Sequence, residues 1–410
     1  EITRVRIGPQ VKDIPDGAFQ GCINLVEVQF NEGAPEVIGE CAFEGCKALH
    51  QVTIPPSVTK LGDKAFKDCI SLAEVHFGDG LQIIGARAFN RCETLRSVTW
   101  PQTVTKLGNG AFSGCINLVA LRLNEGLLQI GESAFHNCQA LQGVAVPSSI
   151  AYLGNGAFKG CISLADVQFS DGLQFIGERA FSECKALRSL AMPRTVTKLG
   201  DEAFKDCINL VEVHLSDGLK IIGERAFCEC KALRGVAVPS SVAELGNGAF
   251  KGCINLVALG LHEGLYYIGK SAFHHCEALR GVAIPSSVTE LGNGAFKGCI
   301  SLAEVQLSDG LQIIGERAFE GCKALRGVAV PSSVTELGNG AFIDCINLVA
   351  LGLHEGLHCI GKSAFHHCKA LRGVAIPSSV TELDNGAFKG CISLVEVEFD
   401  EGIEIIGERA

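Results

Sequence analysis

The stretch His354-Glu355-Gly356-Leu357-His358 has the order of a zinc-peptidase motif, in which two imidazoles one helical turn apart hold the metal and the glutamate activates its water. That chemistry requires a helix. Here the five residues follow the alternating run Leu348 to Leu353, and Glu355-Gly356 reads as a chain corner. The related stretch His262-Glu263-Gly264-Leu265-Tyr266 lacks the second histidine, so the match is assigned to drift between repeats. The pairs His274-His275 and His366-His367 suggest metal capture, but 92 residues separate them. At a strand spacing of ~4.8 Å they stand about 19 Å apart, too far to share an ion, and they read as histidines on a surface turn.

Twenty cysteines invite a disulfide reading. Seventeen follow a phenylalanine by three residues, from Cys22 through Cys391, while Cys41, Cys228 and Cys359 stand outside this column. Stacked in-register side chains do not present the Cβ geometry of a disulfide, and an odd column cannot pair completely. The column reads instead as buried small apolar groups with a weak S–H donor. The acidic residues Asp79, Glu125, Asp171, Asp217, Glu263, Asp309, Glu355 and Glu401 suggest calcium, yet their spacing of about 9.6 Å prevents two from sharing an ion. They read as a solvated edge. With no Gly-rich phosphate loop, no Ser-His-Asp arrangement and no cofactor fingerprint, the expectation is a non-enzymatic protein that binds no cofactor or metal.

The elements that position these residues come from a repeat. Ala-Phe recurs from Phe43 to Phe388 in steps of 23, Phe19 lies 24 before Phe43, and the extra residue falls between Asn31 and Glu36. A cysteine follows each Phe by three, and a leucine follows each cysteine by three, in 17 units. After each leucine, apolar residues at +3 and +5 (Leu302, Val305, Leu307) give the period-2 pattern of a strand buried on one face. The segment Leu311 to Cys322 spaces its apolar groups by three and four, which predicts about one helical or 3₁₀ turn. One unit cannot bury these faces alone, so units must stack into a solenoid of about 18 parallel strands. Pro55, Pro101 and six further prolines spaced by 46 alternate with acid-Gly corners, so two kinds of turn alternate along residues 1–410, which we read as one continuous array without a linker.

The unit Leu325 to Leu348, LRGVAVPSSVTELGNGAFIDCINL, resembles the 23-residue BspA-like class of leucine-rich repeats, and the resemblance covers essentially the whole chain. It implies a right-handed leucine-rich-repeat solenoid with its parallel sheet on the concave side and short 3₁₀ or α turns on the convex side. For function it implies cell-surface or secreted binding and adhesion. Free cysteines and the lack of any Asn-x-Ser/Thr sequon point instead to an intracellular scaffold, so localisation stays open.

A net charge of −10 disfavours nucleic acid and anionic lipid, and no apolar run reaches the roughly 18 residues of a membrane span. A protein partner remains. The outward positions of the concave strands, +2 and +4 after each leucine, include Glu74, His76, Arg122, Asp166, Gln168, Glu212 and His214, and later Glu304 and Gln306 within a nearly bare Gly/Ala strip. A lateral ridge with Tyr152, Phe175, Ile221, Tyr267 and Ile313 is a second candidate. Neither end of the array shows a polar cap, so the chain is expected to be part of a longer array or to self-associate end to end.

Overall fold

The computed structural model describes residues 2–31, 33 and 35–410; Glu32 and Ala34, within the segment that carries the inserted residue, lie outside the described residues. The fold is a parallel β-solenoid. Two compact units are formed, Glu1–Leu210 and Val211–Ala410.

Each turn of either unit contributes two strands. The longer one is the strand expected from the alternating pattern, as in Glu74–Phe77 and Gly281–Ala283. It pairs in parallel with its equivalent 23 residues on: Gln51–Ile54 aligns with Glu74–Phe77, and Gly281–Ala283 with Glu304–Gln306. The second strand is only two residues long, as in Lys60–Leu61 and Glu244–Leu245, and was not expected. These short strands pair without interruption from Asp13–Ile14 to Lys198–Leu199 in the first unit. They do the same from Ile221–Ile222 to Ile405–Ile406 in the second. The inner residue of each pair is buried except in the last strand, so a run of just two residues suffices to hold neighbouring turns in register.

No helix forms where a helical or 3₁₀ turn was expected. Around Phe319 the i→i+3 bonds are present, from Ala318 N to Gly315 O, Glu320 N to Arg317 O and Cys322 N to Phe319 O. The intervening amides point along the array: Arg317 N, Phe319 N and Gly321 N donate to Asn339, Ala341 and Ile343 of the next turn at 2.7 to 2.9 Å. Arg317 and Gly321 have φ of 55° and 73°, which interrupts any helix. Every backbone donor in this corner is thus satisfied, half of them within the turn and half between turns.

The interior is a set of columns. Stacked phenylalanines run from Phe19 to Phe204 in the first unit with centroids 5.1 to 5.7 Å apart. In the second unit they run from Phe227 to Phe388 at 5.2 to 5.6 Å. Ladder leucines from Leu25 to Leu371 and the alanines from Ala42 to Ala387 are fully buried. A glycine follows most short strands, Pro15 and Asp384 being the exceptions, and the turn before it approaches closely: a Cβ at Gly246 would stand 2.5 Å from the Gly223 carbonyl carbon. Among the described residues no helix is long and apolar enough to cross a membrane.

Candidate binding surfaces

The long strands present Glu74, His76, Arg122, Asp166 and Gln168 to solvent in the first unit, and Glu212, His214, Glu304 and Gln306 in the second. Several of these are fixed by neighbours on the same strand. His214 Nε2 lies 2.9 Å from Glu212 Oε1, and Gln168 Nε2 donates to Asp166 Oδ2 at 3.0 Å. A shallow groove of about 460 Å³ lies over Glu212, His214, Gly235 and Ala237, because glycine and alanine leave the next strand bare.

The ridge residues sit on the two-residue strands, with their side chains outward. Tyr152 and Phe175 are register partners, 48% and 38% exposed, and form one aromatic step. Ile221 and Ile313 are also exposed and Tyr267 is half-buried, but Glu244 and Glu290 separate them from one another.

A third surface escaped the sequence reading. The residue just after each ladder leucine forms the rim where the long strands begin. In the second unit it reads Val211, Arg234, Val257, Arg280, Ala303, Arg326, Val349, Arg372 and Val395; in the first, His50, Arg96, Gln142 and Arg188 take the alternate positions. The signal was the 46-residue recurrence of arginine, overlooked because the position lies outside the +2/+4 pattern.

The acidic corners do more than face solvent. Glu263 receives the Ser286 amide at 2.9 Å, the Ser287 amide at 3.0 Å and the Ser286 hydroxyl at 3.1 Å from the next turn. Glu355 holds Ser378 and Ser379 in the same way, and Glu125 holds Ser148. Hydrogen bonds from Ser286 and Ser378 hold the Glu263 and Glu355 carboxyls below the usual carboxylate range. The carboxylate in the peptidase-like stretch is therefore committed to joining turns, and His354 and His358 lie around a corner rather than on a helix.

All 20 cysteines are free thiols. Within each unit, column cysteines such as Cys69 and Cys276 donate from Sγ to the phenylalanine carbonyl of the preceding turn, to Phe43 O at 3.2 Å and to Phe250 O at 3.4 Å. Burial pushes Cys115 and Cys299 up to about 12, which suppresses the nucleophilic thiolate. His274 stacks on His275 at 4.3 Å, and neither of its buried ring nitrogens finds a partner. Burial first, then the neighbouring His275 and two lysines, pushes it down to about 4. No group of three metal-ligating side chains is gathered among the described residues.

Among solved structures, the chain is similar to a leucine-rich repeat protein from Bacteroides ovatus, with 26% identity and a TM-score of 0.71 over 98% of this chain and 91% of the other. A leucine-rich repeat protein from Eubacterium ventriosum shares the fold at 22% identity and a TM-score of 0.50, covering 84% of this chain and 90% of the other. No curated protein matches. The sequence matches the BspA type leucine rich repeat region in six copies, over residues 1–108, 82–211, 197–326 and 289–410. By this match along its whole length, the chain belongs to the BspA-type leucine-rich repeat family.

Proposed function

We propose that the chain is a non-enzymatic recognition module that binds a protein partner through the long-strand face of its first unit. The observation that carries this reading is the contrast within each turn. Inward positions repeat the same Phe, Cys and Leu, while outward positions change from Glu74/His76 to Ala120/Arg122 to Asp166/Gln168. A rigid backbone thus holds a non-repeating pattern of polar groups, which supplies specificity in a protein interface. Pull-down from the native source with wild-type chain and with a Glu74→Lys/Arg122→Glu/Asp166→Lys variant tests it by mass spectrometry. A partner retained by the wild type and lost by the variant supports the reading, whereas equal recovery by both refutes it.

The exposed Tyr152–Phe175 step supports a second docking point, since aromatic groups often anchor protein interfaces. Loss of the same partner on Tyr152→Ser/Phe175→Ser, with the long-strand face intact, would assign the contact to this ridge.

A further inference from the structure

We propose that the arginine rim of the second unit binds a linear acidic polysaccharide whose charges alternate with neutral sugars. Arg234, Arg280, Arg326 and Arg372 are exposed and stand 46 residues, or two turns, apart. That spacing is about 9.6 Å. Among the described residues none of the four lies within ion-pair distance of a carboxylate. Arginines on the turn face are paired: Arg179 with Glu202 at 2.9 Å and Arg317 with Glu316 at 3.5 Å. A chain of net charge −10 therefore leaves a row of guanidinium groups unneutralised along one edge.

Between the arginines stand Val257 and Val349, 46% and 49% exposed, with half-buried Ala303 in the equivalent place. Around Arg326 the rim opens into a groove of about 930 Å³ lined by Ala303, Glu304, Gly327, Asn347 and Val349. Exposed Lys323 and Lys369, one column back, reinforce the charge at Arg326 and Arg372. Glu277 in the same column and Glu304 in the groove oppose it.

The spacing selects the partner. Phosphates along a DNA strand recur every ~3.4 Å. Acidic side chains on one face of an extended peptide recur every ~6.6 Å. Both place anions more densely than one per ~9.6 Å, so charges would be left unpaired between the arginines, and a dense polyanion would meet the chain's own negative field. A polysaccharide with one acid on every second ring presents its anions sparsely and offers the apolar C–H faces of the intervening rings to the valines. Guanidinium pairs with carboxylate or sulfate in a bidentate fork, and several weak contacts along one polymer add by avidity.

The test is binding of the full chain to hyaluronan, an alternating acidic and neutral polymer, measured by biolayer interferometry at low and physiological salt, with poly-glutamate and single-stranded DNA as competitors. Arg326→Gln should weaken binding about threefold, and Arg280→Gln/Arg326→Gln about tenfold, at the upper range of exposed ion pairs. Arg326→Lys should retain part of the affinity, Glu304→Gln should raise it, and Arg96→Gln in the first unit should leave it unchanged. Because these side chains are exposed, melting curves should not move. The inference is overturned by absence of hyaluronan binding, by binding indifferent to Arg280 and Arg326, or by equal competition from poly-glutamate or DNA.

Discussion

In the first unit the outward strand positions carry Glu27, Gln29, Glu74, His76, Arg122, Asp166 and Gln168; in the second they read mostly Gly281, Ala283, Gly327, Ala329, Gly373 and Ala375. The interiors differ in the opposite sense to a small degree. Both share the Phe, Cys and Leu columns, but only the first, among the described residues, sets aromatic rings edge-on against the stack: Phe77 on Phe89, Trp100 on Phe112 and Phe169 on Phe181. The backbone is specified by what repeats inside, so the exterior is free either to diversify or to be copied unchanged.

The largest expected effect tests whether the interiors are equivalent. Phe250→Ala should cost about 3 to 5 kcal/mol, because the stacked turns on either side cannot collapse into the gap. Phe89→Ala should cost more by about 0.5 to 1.5 kcal/mol, as it also loses the edge contact with Phe77. Chemical denaturation of both variants decides this; equal costs would show the edge-on rings to be unimportant.

Gly246→Ala should destabilise by about 1 to 3 kcal/mol, since its Cβ meets the preceding turn. Gly62→Ala in the first unit faces the same 2.5 Å approach, from Gly39, and should behave alike. A tolerated alanine in one unit alone would break the equivalence.

Smaller still is the acid clasp. Glu263→Gln should lower the melting temperature modestly at neutral pH, and the difference from wild type should disappear in acid. The reason is that a carboxylate with a depressed folded pKa stabilises above its unfolded pKa and loses that contribution as pH falls through the folded one. Asp79, which has no such serine pair above it, should show less when changed to Asn.

The smallest effect concerns histidines at one turn position. His274 has a folded pKa pushed from 6.5 to about 4, so the folded state binds fewer protons and stability should fall as pH drops from about 6.5 toward 4. His136, at the same position in the first unit, is also pushed down, by burial first and then Lys159. Replacing each by Gln and comparing melting temperature against pH should flatten the slope, more at 274 than at 136.

The columns and the strand face were legible in the sequence because Phe19, Cys22 and Leu25 and their copies keep fixed spacings, and Val305 and Leu307 alternate with Glu304 and Gln306. The two-residue strands were not, since a pair such as Lys60-Leu61 is too short to show a period. The corner around Phe319 has helix-like apolar spacing, and nothing in its side chains discloses that alternate amides bond to the next turn. The clasp from Glu263 to Ser286 was hidden for a related reason: its partners are 23 residues apart and meet only when turns are stacked.

The alternation of acid corners with serine corners sets the grain at which this molecule can change length. Removing 46 residues would set each acid corner beneath a proline-bearing corner again and leave every column intact. Removing 23 would keep the Phe and Cys columns but bring two like corners together, leaving a glutamate such as Glu263 beneath another acidic corner. Growth and loss by recombination should therefore proceed in double turns, and the near-copy of Cys253 to Gly298 at Cys345 to Gly390 has that length.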